Sequence, residues 1–539
     1  MRSYCMQGKK VYAERLFTSF QLSDHIPEEN FYRRLKGAVD FGFIQNLTRA
    51  YYGKCGQKSI DPEVFIKLML VGYLENIISD RKLMQHCAMR MHILFFLGYN
   101  IDEPLPWHST LSRTRALLPD DIFTAAFEKV LDMCIDKGMV SGHTQAIDSA
   151  PVKANASMDT LELKVPEEDL DQHLRKVRAF SAMDRSEDDS HNHQNPKPPM
   201  ASAPSRRGAK TNRASVEQQT ITADQRSLKE IKSRNLKWST TQTERPGARN
   251  KNSKYTSNKT HYSPVDPDAR ISVKPGKARK LNYAAQMSVD TEHHVITHIQ
   301  ADLADKKDSQ ILQDFSLKLK NRLHAKGFLW HTLLADTGYS SGENYAFLEQ
   351  QGIESYIPPH GTYKGGPEGF TYHRDGDYWL CSQGQEVTFR KIQIEKSGNR
   401  KKLYLTKPSQ CKGCPIKRQC IGGSPERRIT ITAYMDEYER AIKRVRSKKG
   451  RALKVKRSAT VEPVFGTLTE FMGMRKVNTR GIANANKGML MAATAYNLKK
   501  FLKFIKKDVR SAALSPEKHL LNHLALLQLI LSPNRSHKI

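Results

Sequence analysis

The sequence has no long hydrophobic stretch and few cysteines. Its longest apolar runs, such as Ile93 to Leu97, are far shorter than the about 20 residues that a membrane-spanning helix needs. The first residues, MRSYCMQGKKVYAERLF, lack the apolar core of a secretory signal peptide. Four of the eight cysteines are scattered, at Cys5, Cys55, Cys87 and Cys134, which does not fit a secreted disulfide framework. These absences argue against a secreted protein and against a membrane partner.

Acidic residues are also in deficit. The 539-residue chain carries 87 lysines and arginines against 56 aspartates and glutamates, a formal net charge of +31. So many like charges repel one another, and binding of a polyanion offsets that cost. Such a charge is therefore typical of proteins that bind nucleic acid. A soluble protein that is merely basic is the alternative. The composition therefore predicts a cytoplasmic, nucleoid-associated protein with access to DNA.

Residues 1–140 have the apolar spacing of helices. Apolar side chains recur at helical intervals from Phe65 to Ile77, which predicts a largely buried helix. A short basic helix further along carries Arg113 and Arg115, an arrangement that suits contacts with DNA. We expect a helical DNA-binding module here, although a plain helical bundle that braces the next domain fits the pattern equally well.

The remainder of the chain alternates patterned segments with two insertions. Residues 158–264 are polar and basic, and we expect them to be disordered because they cannot bury enough apolar surface. From residue 280 the pattern of a hairpin, a helix, a strand, a helix and a strand predicts a mixed α/β sheet flanked by helices. That sheet would belong to one domain, residues 141–506, with a second, cysteine-rich insertion at 360–428. The leucine-rich pattern of residues 507–539 predicts a C-terminal amphipathic helix.

Three acidic residues stand out by their context. Asp148 follows the segment Thr144–Ile147, which has the pattern of a buried strand, and Ser149 to Pro151 then break the run. Asp336 follows another short strand, and Glu462 lies near a predicted helix start. Capping of a turn explains Asp148 on its own. Three converging carboxylates would repel one another unless a divalent cation lay between them, and oxygen ligands alone favour Mg²⁺ or Mn²⁺.

Basic residues surround Glu462 and would hold a DNA backbone. The candidates for this contact are Arg457, Arg475, Lys476 and Arg480. Lys153, five residues after Asp148, is a further candidate for a phosphate contact, although an ordinary solvent-facing lysine explains it as well.

Three stretches of the sequence together resemble a known family of enzymes. IDSAPVKANAS contains Asp148, and LLADTGYSSGEN contains Asp336. TVEPVFGTL, followed by RKVNTRG and NLKK, contains Glu462. These stretches are similar to the three catalytic blocks of bacterial insertion-sequence transposases of the DDE type, and most similar to the branch numbered eleven-eighty-two. The resemblance covers most of the chain, including the helical N-terminal region and the cysteine-bearing insertion.

The resemblance implies an RNase H-like fold in which Asp148, Asp336 and Glu462 bind Mg²⁺ or Mn²⁺. It also implies that the enzyme binds the terminal inverted repeats of its element as a homo-oligomer, cleaves there and joins the freed 3′-hydroxyl to target DNA. One position departs from the family pattern, because relatives often have a lysine seven residues after the glutamate and this chain has Thr469. A catalytically inactive DNA-binding derivative and a metal-dependent nuclease without strand transfer are the alternatives.

A cysteine pattern lies in the second insertion. Cys411, Cys414 and Cys420, in CKGCPIKRQC, include the two-residue spacing of a zinc knuckle, and a cytoplasmic protein keeps such thiols reduced. By the resemblance, Cys381 is the fourth ligand of a structural Zn²⁺ site, with His373 as the second choice. Free thiols in a basic loop are the other interpretation. A zinc-stabilised nucleic-acid-binding scaffold without cleavage activity would also carry this pattern.

Overall fold

The computed structural model of the chain describes residues 20–53, 59–163, 257–259, 261–272, 278–361, 363, 365–395 and 398–513. Within them the structure is mixed α/β with a helical N-terminal region, as the sequence predicted. Most of the insertion predicted to be disordered, and residues 514–539 of the predicted C-terminal helix, lie outside the described residues. None of the helices described is long and apolar enough to cross a membrane. The chain divides into two compact units.

The first unit contains the N-terminal helices. Its described part lies within Met1–Val71, Ser79–Leu118 and Leu502–Ile539. Its helices before residue 119 are α1 Leu22–His25, α2 Phe31–Ala38, α3 Phe43–Thr48, α4 Pro62–Leu74 (which ends in the second unit), α5 Asp80–Ala88, α6 Met91–Leu97 and α7 His108–Leu117. Tyr32 and Phe96 are buried between α2 and α6, with ring centroids 5.6 Å apart. Aromatic burial of this kind stabilises a small helical unit by about 1.5–3 kcal/mol per side chain.

The second unit is built around a mixed sheet. Its elements up to the second insertion are α8 Asp120–Asp136, β1 Thr144–Lys153, β2 Glu162–Leu163, β3 His261–Tyr262, β4 Arg270–Ser272, β5 Lys280–Asp290, β6 Ile296–Leu303, α9 Asp308–Ala325, β7 Thr332–Leu334, α10 Gly342–Gln350 and β8 Glu354–Tyr356. At Leu118 and Pro119 the chain passes from the first compact unit to the second. Helix α8 belongs to the second unit because its Glu128 forms ion pairs with Arg322 and Lys326 of α9.

The sheet has an antiparallel half and a parallel half. Strand β5 lies between β6 and β1 and is antiparallel to both, which confirms the predicted hairpin of β5 and β6. Strands β1, β7 and β8 run parallel to one another. The short strand β4 pairs with the start of β5, on the side that β6 covers further along. Apolar side chains of α9 and α10, including Phe315 and Leu348, pack against Ile147 and Leu333 of the sheet.

Strand β1 continues past the point where the sequence pattern ends it. Asp148 lies in the middle of β1, and pairing with β5 extends to Lys153. Pro151 is compatible with this strand because β7 pairs with β1 only as far as Ala146. The backbone N–H of Lys153 bonds outside β5, to Arg475, and every second residue points the same way. The N–H that Pro151 lacks would therefore point to the edge of β1 opposite β5, where β7 no longer pairs with it.

The chain after β8 forms a second, antiparallel sheet. Its elements are β9 Phe370–His373, β10 Tyr378–Cys381, β11 Glu386–Ile394, β12 Arg400–Leu405, α11 Pro408–Cys411, α12 Lys417–Ile421 and β13 Arg428–Thr432. The strand order is the order along the chain, from β9 to β13. A small core of its own includes Trp379, Val387, Tyr404 and Ile429. The second insertion is thus an ordered meander of strands rather than a loop.

Three helices complete the second unit, and the middle one corrects the expected position of Glu462. They are α13 Met435–Arg446, α14 Lys448–Phe471 and α15 Ile482–Ala513, of which the last continues into the first unit. Glu462 lies well inside α14 rather than near its start. The helix begins at Ser447, whose hydroxyl accepts the N–H of Gly450, and continues through Pro463. Proline normally marks a helix start, which is why the sequence pattern placed the start too late.

A buried carboxylate connects the chain before β4 to the sheet and to the start of α15. Asp266 is fully buried and accepts hydrogen bonds from the Tyr283 hydroxyl at 2.6 and 2.7 Å. The backbone N–H of Gly481 donates to the same carboxylate at 3.0 Å. Burial raises the pKa of Asp266, and these donors oppose the rise.

We expect Tyr283→Phe to lower the free energy of unfolding by about 1–3 kcal/mol, because it leaves a buried carboxylate without its main donor. Urea unfolding followed by circular dichroism measures the change. Tyr52→Phe is the matched control, since the Tyr52 hydroxyl has no hydrogen-bond partner among the described residues. Equal unfolding midpoints for the two variants would contradict the role assigned to Tyr283.

Candidate active site

The parallel register of β1 and β7 brings two of the predicted acids side by side. Ala146 of β1 pairs with Leu334 of β7. Two residues beyond this pair stand Asp148, still within β1, and Asp336, at the start of the turn that follows β7, so the two acids hold neighbouring positions. The electrostatics agree, because the charge of Asp336 raises the pKa of Asp148. The two carboxylates form the centre of the candidate site.

Asp148 is mostly enclosed. Its side chain is 19% exposed, and burial is the largest cause that raises its pKa to about 6. The Ser149 N–H, which donates at 2.8 Å, and the Arg457 guanidinium both lower the pKa. Asp148 is thus a carboxylate whose charge costs free energy unless a cation is close to it.

Arg457 of α14 supplies that cation and links Asp148 to the third predicted acid. Its Nη1 donates to Asp148 Oδ2 at 3.1 Å, and its Nη2 lies 3.6 Å from Glu462 Oε1. The Arg457 side chain is 15% exposed, whereas that of Glu462 is 61% exposed. The structure therefore gathers Asp148, Asp336 and Glu462 in one region, with a guanidinium between the first and the last.

A hydrogen-bonded network supports the turn after β7. Asp336 caps the short 3₁₀ turn Thr337–Tyr339 by accepting the Gly338 N–H at 2.9 Å. The buried Tyr339 hydroxyl donates to Gln286 Oε1 at 2.6 Å, and Gln286 Nε2 donates to Asp308 Oδ1 at 2.9 Å. Burial is the largest cause that raises the pKa of Asp336, and the Asp308 charge adds to the rise.

Sequence reasoning missed the supporting role of Gln286 and Asp308. Gln286 lies in LNYAAQMSVD, where a polar residue interrupts an apolar strand, and that interruption was the available signal. Asp308 is the first residue of α9, and its contact with Gln286 was not foreseen. Arg457 was expected to contact DNA, and its pairing with Asp148 was not foreseen.

The side chains suit a hard divalent cation by chemistry. The donors are carboxylate oxygens alone, which fit Mg²⁺ or Mn²⁺ rather than Zn²⁺. Within the described residues, no group of three or more His, Cys, Asp or Glu side chains is close enough together to hold a metal ion. The Arg457 guanidinium lies between Asp148 and Glu462, which is consistent with these two carboxylates being too far apart to share an ion. Asp148 and Asp336 are the residues that would hold such an ion, with Glu462 approaching from α14.

Three of the predicted DNA contacts lie together at the far end of β1. Lys153 forms an isolated parallel bridge with Lys476, and its backbone N–H donates to the carbonyl of Arg475. All three side chains are exposed, and so is Arg480 a few residues later. Arg475 has one surface ion pair, with Glu470 at 3.3 Å, which is weak enough to exchange for a phosphate. We call Lys153, Arg475, Lys476 and Arg480 the basic cluster.

Thr469, at the position where relatives often carry a lysine, takes no part in this cluster through its side chain. Its hydroxyl donates to the carbonyl of Phe465 within α14, at 2.9 Å. The nearby cations Arg475 and Lys476 are exposed. They are available for the contact that the absent lysine would make.

The two arginines predicted to contact DNA from α7 differ in exposure. Arg113 is exposed. Arg115 is 4% exposed, and its two terminal nitrogens donate to Asp80 at 2.8 and 3.1 Å. A buried ion pair of this kind is costly to break, so we remove Arg115 from the candidate DNA contacts. Its place is in the interior of the N-terminal helical unit.

The four predicted zinc ligands lie in and beside the second sheet. Cys381 ends β10, Cys411 ends α11, Cys414 lies between α11 and α12, and Cys420 lies in α12. All four are half-buried free thiols. Cys411 Sγ lies 3.3 Å from the Thr406 hydroxyl, and Cys381 Sγ accepts the Gln385 N–H. Zinc binding there stays a prediction.

Two segments of the chain match known families. Residues 20–117 match the family model described as a transposase domain (DUF772). Residues 380–502 match the one described as a transposase DDE domain. No curated protein matches the chain. The two matches support a DDE-type transposase, an enzyme that acts on DNA; the second matched segment contains Glu462 and Arg457, while Asp148 and Asp336 lie before it.

We expect Gly338→Ala to destabilise the protein by about 1–3 kcal/mol, because the new methyl group would crowd two carboxylates that are already held by hydrogen bonds. A Cβ at Gly338 would lie 3.0 Å from Asp336 Oδ1 and 3.1 Å from Asp308 Oδ2. Thermal unfolding measures the effect. Gly466→Ala in α14 is the control: no atom outside its own helix lies within 4 Å of the added Cβ, so it should stabilise the helix by about 0.5–1 kcal/mol.

Proposed function

We propose that this chain, which matches two transposase families, is a transposase that binds the ends of its mobile element and catalyses metal-dependent DNA cleavage and strand transfer. Its second unit would have the RNase H-like arrangement that the sequence resemblance implies, of the eleven-eighty-two-like branch. The mixed sheet with Asp148 in its central strand is compatible with that arrangement.

The observation that carries the proposal is the neighbouring position of Asp148, in strand β1, and Asp336, in the turn that follows the parallel strand β7. The two residues are 188 positions apart in the sequence, as 336 − 148 = 188, and both have a pKa that burial raises. Folding brings two such carboxylates together at a cost. A divalent cation that binds both would offset that cost, which supports a catalytic use for the pair.

Asp148, Asp336 and Glu462 would together hold Mg²⁺ or Mn²⁺. Such ions, when bound, activate the attacking water or 3′-hydroxyl and stabilise the leaving oxygen in phosphodiester cleavage. Asp148 and Asp336 would be fixed ligands, since the sheet and the capped turn hold them. Glu462 is the more exposed acid and would complete the site from α14. The network of Tyr339, Gln286 and Asp308 would orient Asp336 without touching the DNA.

The basic cluster would guide the DNA backbone to these acids. Lys153 stands five residues beyond Asp148 on the same strand, about 17 Å further along, and by the alternation of side chains it points to the opposite face of the strand. That length corresponds to about five base pairs of duplex. The exposed cations Lys454 and Lys456 of α14 would extend the contact. The span from the acids to the basic cluster would therefore hold DNA on one side of the cleaved bond.

The remaining assignments follow from the same function. Residues 1–140 would bind the terminal inverted repeats, with Arg113 as one contact. Residues 141–506 would form the catalytic domain, and a homo-oligomer would bridge two element ends. The protein would work at the nucleoid, and a structural Zn²⁺ on the four cysteines would stabilise the second sheet.

We expect Asp148→Asn, Asp336→Asn and Glu462→Gln each to lower the rate of Mg²⁺-dependent nicking by more than about a thousandfold, because each removes a metal ligand worth several kcal/mol in the transition state. The substrate is a labelled duplex that carries the end of the host element. DNA affinity, measured beside the rate, should stay within a few-fold of wild type.

Glu386→Gln is the matched control for Glu462→Gln, because Glu386 is an exposed glutamate at the start of β11. It should nick at the wild-type rate. Normal nicking by any one of the three site variants would remove that residue from the site. Nicking by the wild type without joining to target DNA would favour the nuclease alternative.

We expect the double change Arg475→Gln and Lys476→Gln to weaken DNA binding uniformly across sequences. It should also reduce the slope of log affinity against log salt concentration by about one for each residue. Fluorescence anisotropy at several KCl concentrations measures the slope. Lys318→Gln, at an exposed lysine of α9 that pairs with Asp314, should leave the slope unchanged. An unchanged slope in the double variant would exclude the basic cluster from the DNA path.

A further inference from the structure

Arg457 occupies a place that is unusual for a DNA-binding arginine. Its guanidinium is mostly buried and lies between a strand residue, Asp148, and a residue of its own helix, Glu462. The two acids are reached by different nitrogens, Nη1 and Nη2. One side chain therefore neutralises two of the three acids that the proposed function assigns to the metal.

A divalent cation and this guanidinium would compete for the same oxygens. Asp148 Oδ2 already accepts from Arg457 at 3.1 Å, in a charge-assisted hydrogen bond. A cation that binds Asp148 would stand within a few ångströms of the guanidinium, and two positive charges at about 4 Å repel strongly in a partly buried site. Both cannot keep full contact with Asp148.

The space beside the site offers the guanidinium another position. A cleft of about 140 Å³ opens next to Asp336, and its lining includes Tyr356, Pro358, Lys454 and Arg457 itself. Two of these residues are cations, which suits a phosphate group. A guanidinium binds phosphate with two parallel hydrogen bonds, as it does a carboxylate.

We propose that Arg457 is a resident counter-ion that a divalent metal displaces from Asp148 and Glu462, and that the displaced guanidinium then binds a DNA phosphate in the adjoining cleft. The inference rests on the proposed function. It adds that metal and DNA each favour the binding of the other, because both draw on the same movement of one side chain. Without DNA, Arg457 keeps metal affinity low.

The test measures Mn²⁺ affinity by electron paramagnetic resonance on the full chain, for wild type, Arg457→Gln and Arg451→Gln. Arg451 is an exposed arginine of the same helix, so its variant loses the same charge without losing the contact. Without DNA, Arg457→Gln should bind Mn²⁺ about tenfold more tightly than wild type, because no charge-assisted bond has to be broken. Arg451→Gln should stay within about twofold of wild type.

A second arm adds a DNA duplex, with the duplex alone as a blank. DNA should raise the Mn²⁺ affinity of wild type and of Arg451→Gln, and should leave that of Arg457→Gln unchanged. Arg457→Lys keeps the charge but replaces the two separate terminal nitrogens by one shorter-reaching ammonium group, so its affinity should lie between the two. If Arg457→Gln does not fold without metal, Arg457→Lys carries the comparison.

The outcomes separate the inference from the proposed function. Equal or weaker Mn²⁺ binding by Arg457→Gln, with saturable binding by wild type that Asp336→Asn abolishes, would overturn the inference and leave the metal site intact. Saturable binding in none of the variants, with or without DNA, would contradict the metal site and the inference together.

Discussion

The carboxylates of Asp148, in strand β1, and of Asp336, in the turn after the parallel strand β7, repel each other, and the surrounding elements each compensate part of that repulsion. The register of β1 and β7 makes the approach of Asp148 and Asp336 unavoidable once the sheet forms. The Gly338 N–H fixes Asp336, and the Ser149 N–H and Arg457 stabilise the charge of Asp148. The site is therefore prearranged by the sheet, and in our proposal its states differ in the cation beside it.

Helix α14 carries both the residues that reach the acids on β1 and the exposed cations that lead away from them. Its buried residues, among them Val461, Val464 and Leu468, pack inward, which fixes how far Glu462 and Arg457 reach over β1. Its exposed face carries cations before Glu462, and the chain after it leads to the basic cluster. In the proposed function a single helix would set the distance between the acids and the DNA backbone, so that a shift of α14 would change both together.

Periodicity predicted the elements well where one face of an element is buried, as in the β5 and β6 hairpin and in α9. It failed where a residue that usually marks the boundary of an element lies inside one. Pro151 suggested the end of β1 and Pro463 a helix start, yet both are accommodated inside their elements. The ion pair of Arg457 with Asp148 spans 309 residues, and no local pattern encodes it. The resemblance identified the three acids, but not the guanidinium between them.

The second sheet does not disturb the acids despite its size, because the chain segments that lead into it and out of it are held close to each other. The chain leaves the main sheet after β8 and returns in α13, where Arg440 and Arg444 both bind Glu349 of α10. These ion pairs hold the exit and the return close to each other, whatever lies between them. The core of the second sheet, around Trp379 and Tyr404, is its own. A metal on its cysteines would accordingly act on the stability of that sheet, while the chemistry would stay with β1, β7 and α14.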